Sequence, residues 1–413
     1  MMSKSMDKQS ITKKNFLWNF IGSTLNGFNS LFFMIIITRV NGVDDAGRYT
    51  LLFSLACLFY MIGGYAGRTY QVSDKTKINS DDDYIGQRYI TCSLMLIVAL
   101  IYCLIMHYDV TNILLLLILT LLKSFEAYSD ILYGIMQKRE QLYLTGISAT
   151  IKTIISILVF LVVDLLTHNI IVGFCAVICV WIAILFICDL PWSKASVKPH
   201  FNIQKINVLF KRGFYSFAFL FLSVYLANVT KYALDGRVES SSQAMYGIVL
   251  MPATLISLCC LYILQPSINH LSNQYVEKNY HQFRTSVRKI FSLIGGLAIL
   301  ALAAATVIGI PVLNLVYGVD LSDYKLCLQL IVVGASMNAA ITLLSTALTI
   351  MYKTKFQFYI YVFVSVFAFF ISGLLVNVCG VLGSAISYFV IMCVQLGLFL
   401  LYYEFECRKG NVR

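Results

Sequence analysis

The chain has 413 residues, of which 59% are hydrophobic and 12% charged, with a formal charge of +11 and a mean hydropathy of +0.79. Soluble domains are about 45–50% apolar and about 25% charged, so a soluble enzyme, a nucleic-acid binder, a secreted disulfide scaffold and a soluble catalytic domain on a membrane tether are excluded. A membrane span takes about 20 apolar residues, and twelve would take about 240, which this composition supplies with little left over.

Residues 1–15 carry Lys4, Lys8, Lys13 and Lys14. The apolar stretch that follows is too long for a signal-peptide core and has no small-residue cleavage site, so it reads as an uncleaved first span. Apolar runs punctuated by Gly, Pro, Asn and Asp then predict spans over 16–38, 46–66, 86–106, 112–133, 142–163, 169–189, 209–232, 244–268, 288–309, 324–350, 356–376 and 382–403. The fold class expected is therefore all-α, a polytopic membrane protein of about 12 transmembrane helices.

Basic residues set the orientation. One side of the span pattern collects Arg68, Lys75, Lys77 and Arg88, then Lys138 and Arg139, then Lys194, Lys198, Lys205, Lys211 and Arg212. It continues with Lys278, Arg284, Arg288, Lys289, Lys353 and Lys355, and ends with Arg408, Lys409 and Arg413. The opposite side has Arg39, Arg48, Lys231, Arg237 and Lys325. Both termini are expected in the cytoplasm, with the Asp81-Asp82-Asp83 run solvated in a cytoplasmic loop.

The basic, Pro-containing stretch from Pro191 to Arg212 divides the spans into two sets of six. The expected organisation is an N-terminal lobe (1–195, spans 1–6), a cytoplasmic linker (196–208) and a C-terminal lobe (209–413, spans 7–12). The loop Asn41-Gly-Val-Asp-Asp-Ala-Gly-Arg-Tyr49 is echoed by Asp235-Gly-Arg-Val-Glu-Ser-Ser-Ser-Gln-Ala-Met-Tyr-Gly247. Two such halves fit a parallel repeat, with a substrate path between them.

Polar residues within spans are expensive in lipid and carry the functional information. Asn19, Ser23, Asn26 and Ser30 recur at helical spacing in span 1, as do Asn338, Thr342, Ser345 and Thr349 in span 10. Each face is either interhelical hydrogen-bonding glue or a hydrated wall suited to sugar. Asn19, Asn26 and Asn338 are the sugar-facing candidates. In span 4, Lys123, Glu126 and Asp130 share one face, and Lys152 of span 5 lies at a depth similar to Glu126, with which it could pair. These charges are either a structural ion-pair network or a working site. In a working site Lys123 and Lys152 attract an anionic group while Glu126 or Asp130 binds H⁺ or Na⁺. Arg39 and Lys231, on the side where basic residues are avoided, either snorkel to lipid phosphate or meet a pyrophosphate or acidic sugar. Pro252, Pro311, Gly63-Gly64 and Gly295-Gly296 are candidate hinges.

No nucleotide-binding phosphate loop, Ser/His/Asp triad pattern or HExxH occurs, and the twelve Cys and five His form no ligand cluster. No catalytic residue, metal or cofactor is expected, apart from a coupling H⁺ or Na⁺. The short external loops also disfavour a glycan polymerase or ligase.

The twelve spans, the opening Asn19-Phe-Ile-Gly-Ser-Thr-Leu-Asn-Gly-Phe-Asn29 helix and the Ala46-Gly-Arg-Tyr49 turn resemble the polysaccharide-transport flippases. These are the Wzx-type O-antigen and capsule-repeat flippases of the multidrug/oligosaccharidyl-lipid/polysaccharide exporter superfamily. The resemblance covers essentially the whole chain. It implies two six-helix lobes in a V, as in the MATE exporters, and a bacterial plasma-membrane location. It implies alternating access and a cargo of undecaprenyl-pyrophosphate-linked oligosaccharide crossing a cationic cavity, with Arg39, Lys123, Lys152 and Lys231 as its cations. Membrane lipid is a partner, and a polysaccharide polymerase and chain-length regulator are candidate protein partners. Drug-exporting relatives often use an Asp in the first span, where this chain has Asn26 and Asn29. A cation-coupled multidrug exporter is the alternative within the fold. The murein-precursor flippases usually have two more spans.

Overall fold

A computed structural model describes residues 2–65, 67–73, 79–195 and 202–410. Helices dominate, and among the described residues there is no strand. They are α1 (Met2–Val40), α2 (Val43–Gly64), α3 (Gly67–Ser73), α4 (Asp81–Ile105), α5 (Val110–Lys138), α6 (Leu142–Thr167) and α7 (Ile170–Ser193). Then come α8 (Ile203–Leu234), α9 (Ser240–Val276), α10 (Tyr280–Tyr317) and, after a single 3₁₀ turn, α11 (Lys325–Ile350). The helical stretch Thr354–Gly410 breaks at Gly380, whose φ of 55° and ψ of −129° no helix contains. A Cβ on Gly383 would lie 2.0 Å from the Leu375 carbonyl oxygen. Residues eight apart in one helix are about 12 Å apart, so the chain reverses here into α12 (354–379) and α13 (381–410). Among the described residues eleven helical stretches are long and apolar enough to cross a membrane, the last of them being this broken pair. Twelve span-length helices match the expected all-α polytopic class.

The helices cluster into two compact units, Met1–Val224 and Tyr225–Arg413, with the division inside α8. Of the linker expected at 196–208, residues 196–201 lie outside the described residues and 203–208 are already helical.

In the first unit α1 packs chiefly on α6. Their backbones touch at Gly22 and Gly146, where a Cβ on Gly22 would lie 2.6 Å from the Gly146 oxygen. Small residues permit such approach in membrane bundles, where dispersion and hydrogen bonding replace the hydrophobic drive. Farther along, Phe33, Phe160 and Phe174 lock α1, α6 and α7 at ring-centroid distances of 4.7–5.2 Å, and Tyr49 of α2 stacks on Phe174 at 5.5 Å. In the second unit α11 packs against α9, α10, α12 and α13. Two buried polar contacts tie neighbouring helices of this unit: Tyr246 of α9 donates to Thr230 of α8 (2.8 Å), and Ser345 of α11 donates to Gln357 of α12 (2.8 Å).

Three sequence expectations change. The Asp81–Asp83 run opens α4 rather than floating in a loop. Ser80 caps it, the Asp83 backbone N–H donating to the Ser80 hydroxyl (3.2 Å) and the Ser80 N–H to the Asp83 carboxylate (2.8 Å). Lys205 donates to Asp83 at 3.2 Å and Lys138 to Asp81 at 2.8 Å. Carboxylates belong at a helix N-terminus, where unpaired N–H groups and the dipole meet them. Ser80→Ala is expected to destabilise the protein by about 1 kcal/mol, read as a lower melting temperature in detergent. Second, Arg88 is a buried cation within α4 that donates to the Gly63 carbonyl, not a loop charge. Third, Gly63-Gly64 is the end of α2, capped by Tyr65 in the left-handed region (φ 41°), rather than a hinge within a span.

Proline instead acts through local rewinding. Pro191 and Pro311 each follow a π-helical turn, Leu185–Asp189 and Ala305–Gly309. Proline lacks the N–H and its ring pushes on the carbonyl four residues back. The Leu190 N–H accordingly reaches Leu185 O, five residues back. Pro252 and Pro266 sit inside α9, which continues through both.

Candidate functional site

A cavity of about 160 Å³ opens inside the first unit. Its walls come from α1 (Asn19, Gly22, Ser23, Asn26), α5 (Glu126, Ser129, Asp130, Tyr133) and α6 (Thr145, Gly146, Ala149, Lys152), with Tyr60, Arg68 and Trp181 closing the sides. The Gly22–Gly146 contact forms one wall and fixes how far α1 stands from α5. Helical spacing on α1 and α5 brings the polar face of each into the same space.

The charges here are organised as three ion pairs. Lys152 is 1% exposed and pairs with Asp189, which is 0% exposed. Around them Lys152 donates to Ser129 (2.7 Å) and Tyr133 (3.3 Å), and Ser148 donates to Asp189 (2.5 Å). The Lys152 ammonium also lies 4.8 Å from the Trp181 ring centroid. The indole N–H of Trp181 donates to Ser156 (3.1 Å), which holds that ring in place. Arg68 pairs with Asp130 (3.1 Å) and donates through Nε and Nη2 to Gln137 (3.1 and 2.9 Å). Lys123 pairs with Glu126 (2.7 Å), its ammonium 4.9 Å from the centroid of Phe53 and 5.7 Å from that of Tyr60. Charges this far from water are retained only when paired, and each pair is also hydrogen-bonded or laid on a ring.

Five of the nine sequence-derived candidates meet in this cavity: Asn19, Asn26, Glu126, Asp130 and Lys152. Lys123 stands behind the wall, reaching it through Glu126. Arg39 ends α1, thirteen residues or about 20 Å of helix beyond Asn26. Lys231, in the last turn of α8, and the half-buried Asn338 of α11 belong to the second unit. The pairing expected between Lys152 and Glu126 is corrected. Lys152 reaches Ser129 and Tyr133, one and two turns past Glu126, and finds Asp189 across from it. The π-helical turn before Pro191 ends on Asp189 and sets where that carboxylate points.

Asp189, Arg68, Ser129, Tyr133 and Trp181 escaped the sequence reading. Arg68 counted as a loop cation because it follows a glycine pair. For Asp189 a signal exists: it is an acid at the end of the apolar run 177–188, and acids seldom sit there without a buried cation.

Comparison with known proteins extends the picture. No family model matches the chain. It is 22% identical over 405 residues to a "Capsular polysaccharide biosynthesis protein CapF" of Staphylococcus aureus, covering 95% of this chain and 99% of that protein. In fold it is similar to a multidrug resistance MATE family transporter of the MOP superfamily in an inward-facing conformation. The TM-score is 0.76 at 10% identity, over 95% of this chain and 99% of the other. It is also similar to the lipid II flippase MurJ in an inward closed conformation. There the TM-score is 0.68 at 15% identity, over 94% of this chain and 87% of the other. The chain is thus a multi-pass membrane protein with the fold of the multidrug/oligosaccharidyl-lipid/polysaccharide exporter superfamily, as its resemblance to the polysaccharide-transport flippases implies.

Proposed function

We propose that the protein is a flippase. It moves undecaprenyl-pyrophosphate-linked oligosaccharide repeat units from the cytoplasmic to the outer leaflet of a bacterial plasma membrane, by alternating access, for surface polysaccharide synthesis. The observation that carries this reading is the cavity. A membrane-spanning bundle has no structural need for a space walled by Asn19, Ser23, Asn26, Glu126, Asp130 and Lys152, because polar groups facing an empty space in lipid are costly. Water and a hydroxyl-rich solute fit it. The whole-length similarity to a protein named for capsular polysaccharide biosynthesis supports this cargo class.

The cytoplasmic side is the one with the lysine- and arginine-rich connections, so both termini lie inside. The opposite connections are short, such as 106–109, 168–169 and 235–239, and offer no place to hold two glycan substrates, which favours transport over polymerisation. Glu126 and Asp130 are the groups through which H⁺ or Na⁺ would act. A polymerase and a chain-length regulator then receive the cargo outside. The multidrug-exporter alternative finds no acid in the first span between 16 and 38.

Deleting the gene is expected to abolish the surface polymer while lipid-linked repeat units accumulate, with full recovery from a plasmid copy. Drug susceptibility is expected to be unchanged. A deletion strain with normal polymer and raised drug sensitivity would favour the exporter instead. Within the site, Asp130→Asn leaves Arg68 without its counter-charge. Because both side chains are about a quarter exposed, the effect expected is on transport, with little loss of stability (about 1 kcal/mol or less), measured as polymer yield against melting temperature.

A further inference from the structure

We propose that the cavity of the first unit is a subsite for one uncharged sugar ring, and that neither the pyrophosphate nor an acidic sugar is held there. The ligand class rests on the flippase reading above; the charge selection rests on the cavity itself.

The cations of the cavity are already committed. Arg68 and Lys152 line it and Lys123 stands behind it, and each contacts a carboxylate: Asp130 at 3.1 Å, Asp189, and Glu126 at 2.7 Å. Their ring neighbours bind them a second time, Lys152 and Arg68 lying 5.4 and 6.0 Å from the Tyr133 centroid. The three pairs sum to zero charge. Arg88, the other cation that is buried as Lys152 is, is not part of the wall and turns its Nη1 to Gly63 O at the C-terminal end of α2. A diphosphate entering the cavity would have to displace a carboxylate from each cation while meeting the carboxylates of Glu126 and Asp130. Like charges in a low dielectric repel strongly.

The uncommitted groups are neutral. Asn19, Ser23 and Asn26 face the cavity from α1, and among the described residues they have no hydrogen-bond partner. Two amides and a hydroxyl offer both donors and acceptors, as sugar hydroxyls do, and the second oxygens of Glu126 and Asp130 add acceptors. Hydrogen bonds from a neutral hydroxyl to a carboxylate are among the stronger ones. The volume, about 160 Å³, falls below the roughly 300–1,000 Å³ of sites for drug-sized ligands. It suits one ring, not a whole repeat unit. Trp181, Tyr133 and Tyr60 supply the apolar edges that a pyranose C–H face needs.

The test uses full-length protein in lipid nanodiscs, following the fluorescence of Trp181 against a Trp181→Phe blank. Glucose, galactose and N-acetylglucosamine are titrated separately from glucuronate and inorganic pyrophosphate. At least one neutral sugar is expected to give a saturable change that weakens tenfold or more in the Asn19→Ala/Asn26→Ala double variant, with the two anions at least tenfold weaker. Tighter binding of glucuronate or pyrophosphate overturns the proposal, and so does binding of none of the five. Polymer recovery in a deletion strain is scored in parallel. Anion binding with polymer export still dependent on the protein removes the subsite and keeps the flippase. Neutral-sugar binding with polymer export independent of the protein does the reverse.

Discussion

Lys152→Met and Asp189→Leu are each expected to leave little folded protein in detergent, whereas the double substitution Lys152→Met/Asp189→Leu recovers it. Both side chains are shut off from the surroundings. Removing one strands the other as an uncompensated buried charge, which costs about 3–5 kcal/mol. Replacing both with apolar groups of similar volume is close to neutral, because the desolvation of two ions is removed along with their attraction. A loss of that size lowers the melting temperature by on the order of 10 °C. Combining Lys152→Met with Glu126→Gln is expected to bring no recovery, since Glu126 is tied to Lys123. Recovery by Glu126→Gln, and not by Asp189→Leu, would mean that the pairs are exchanged. Size-exclusion profiles and thermal unfolding of the four proteins measure this. The recovered double variant then shows whether the pair serves transport as well as folding, because its polymer yield is no longer confounded by instability.

The second large effect is expected from the smallest possible addition. A Cβ on Gly146 would lie 2.2 Å from both the carbonyl carbon and oxygen of Trp18 and 2.6 Å from the Asn19 nitrogen. Every one of these is backbone, so no side chain can swing aside and α1 itself must move. Overpacking of this kind costs about 1–3 kcal/mol. It also pushes Asn19 and Asn26 away from Glu126 and Lys152. Gly146→Ala is therefore expected to reduce both melting temperature and polymer yield. Gly295→Ala is the control. Nothing lies within 4 Å of that position, and replacing a mid-helix glycine gains about 1 kcal/mol of helix propensity. Equal behaviour of the two variants would show that the α1–α6 contact does not shape the cavity.

Much of this site was legible in the chain because helical periodicity does not depend on the fold. Asn19, Ser23 and Asn26 must share a face, as must Glu126 and Asp130, wherever their helices go. Gly380 and its neighbours separate the last two spans in sequence and in structure alike. What periodicity lacks is the partner. Lys152 is 37 residues from Asp189, and nothing along the chain chooses Asp189 over Glu126. The choice is made by the π-helical turn ahead of Pro191, which sets where span 6 points its last acid. Arg68 was hidden for a related reason. Hydropathy places it past the end of α2, yet α3 folds back on α5 and carries it to Asp130. Along the chain Arg68, Lys123 and Lys152 count only as cations, whereas packing gives each of them a carboxylate.

The most direct test of the flippase reading is the sidedness of the lipid-linked repeat unit. Right-side-out vesicles from a deletion strain, with labelled intermediate, are treated with an impermeant glycosidase, with and without plasmid-borne protein. The account predicts that the sugar is protected without the protein and becomes accessible with it. Sugar that the enzyme reaches equally in both would contradict it, because translocation would then be the work of another molecule.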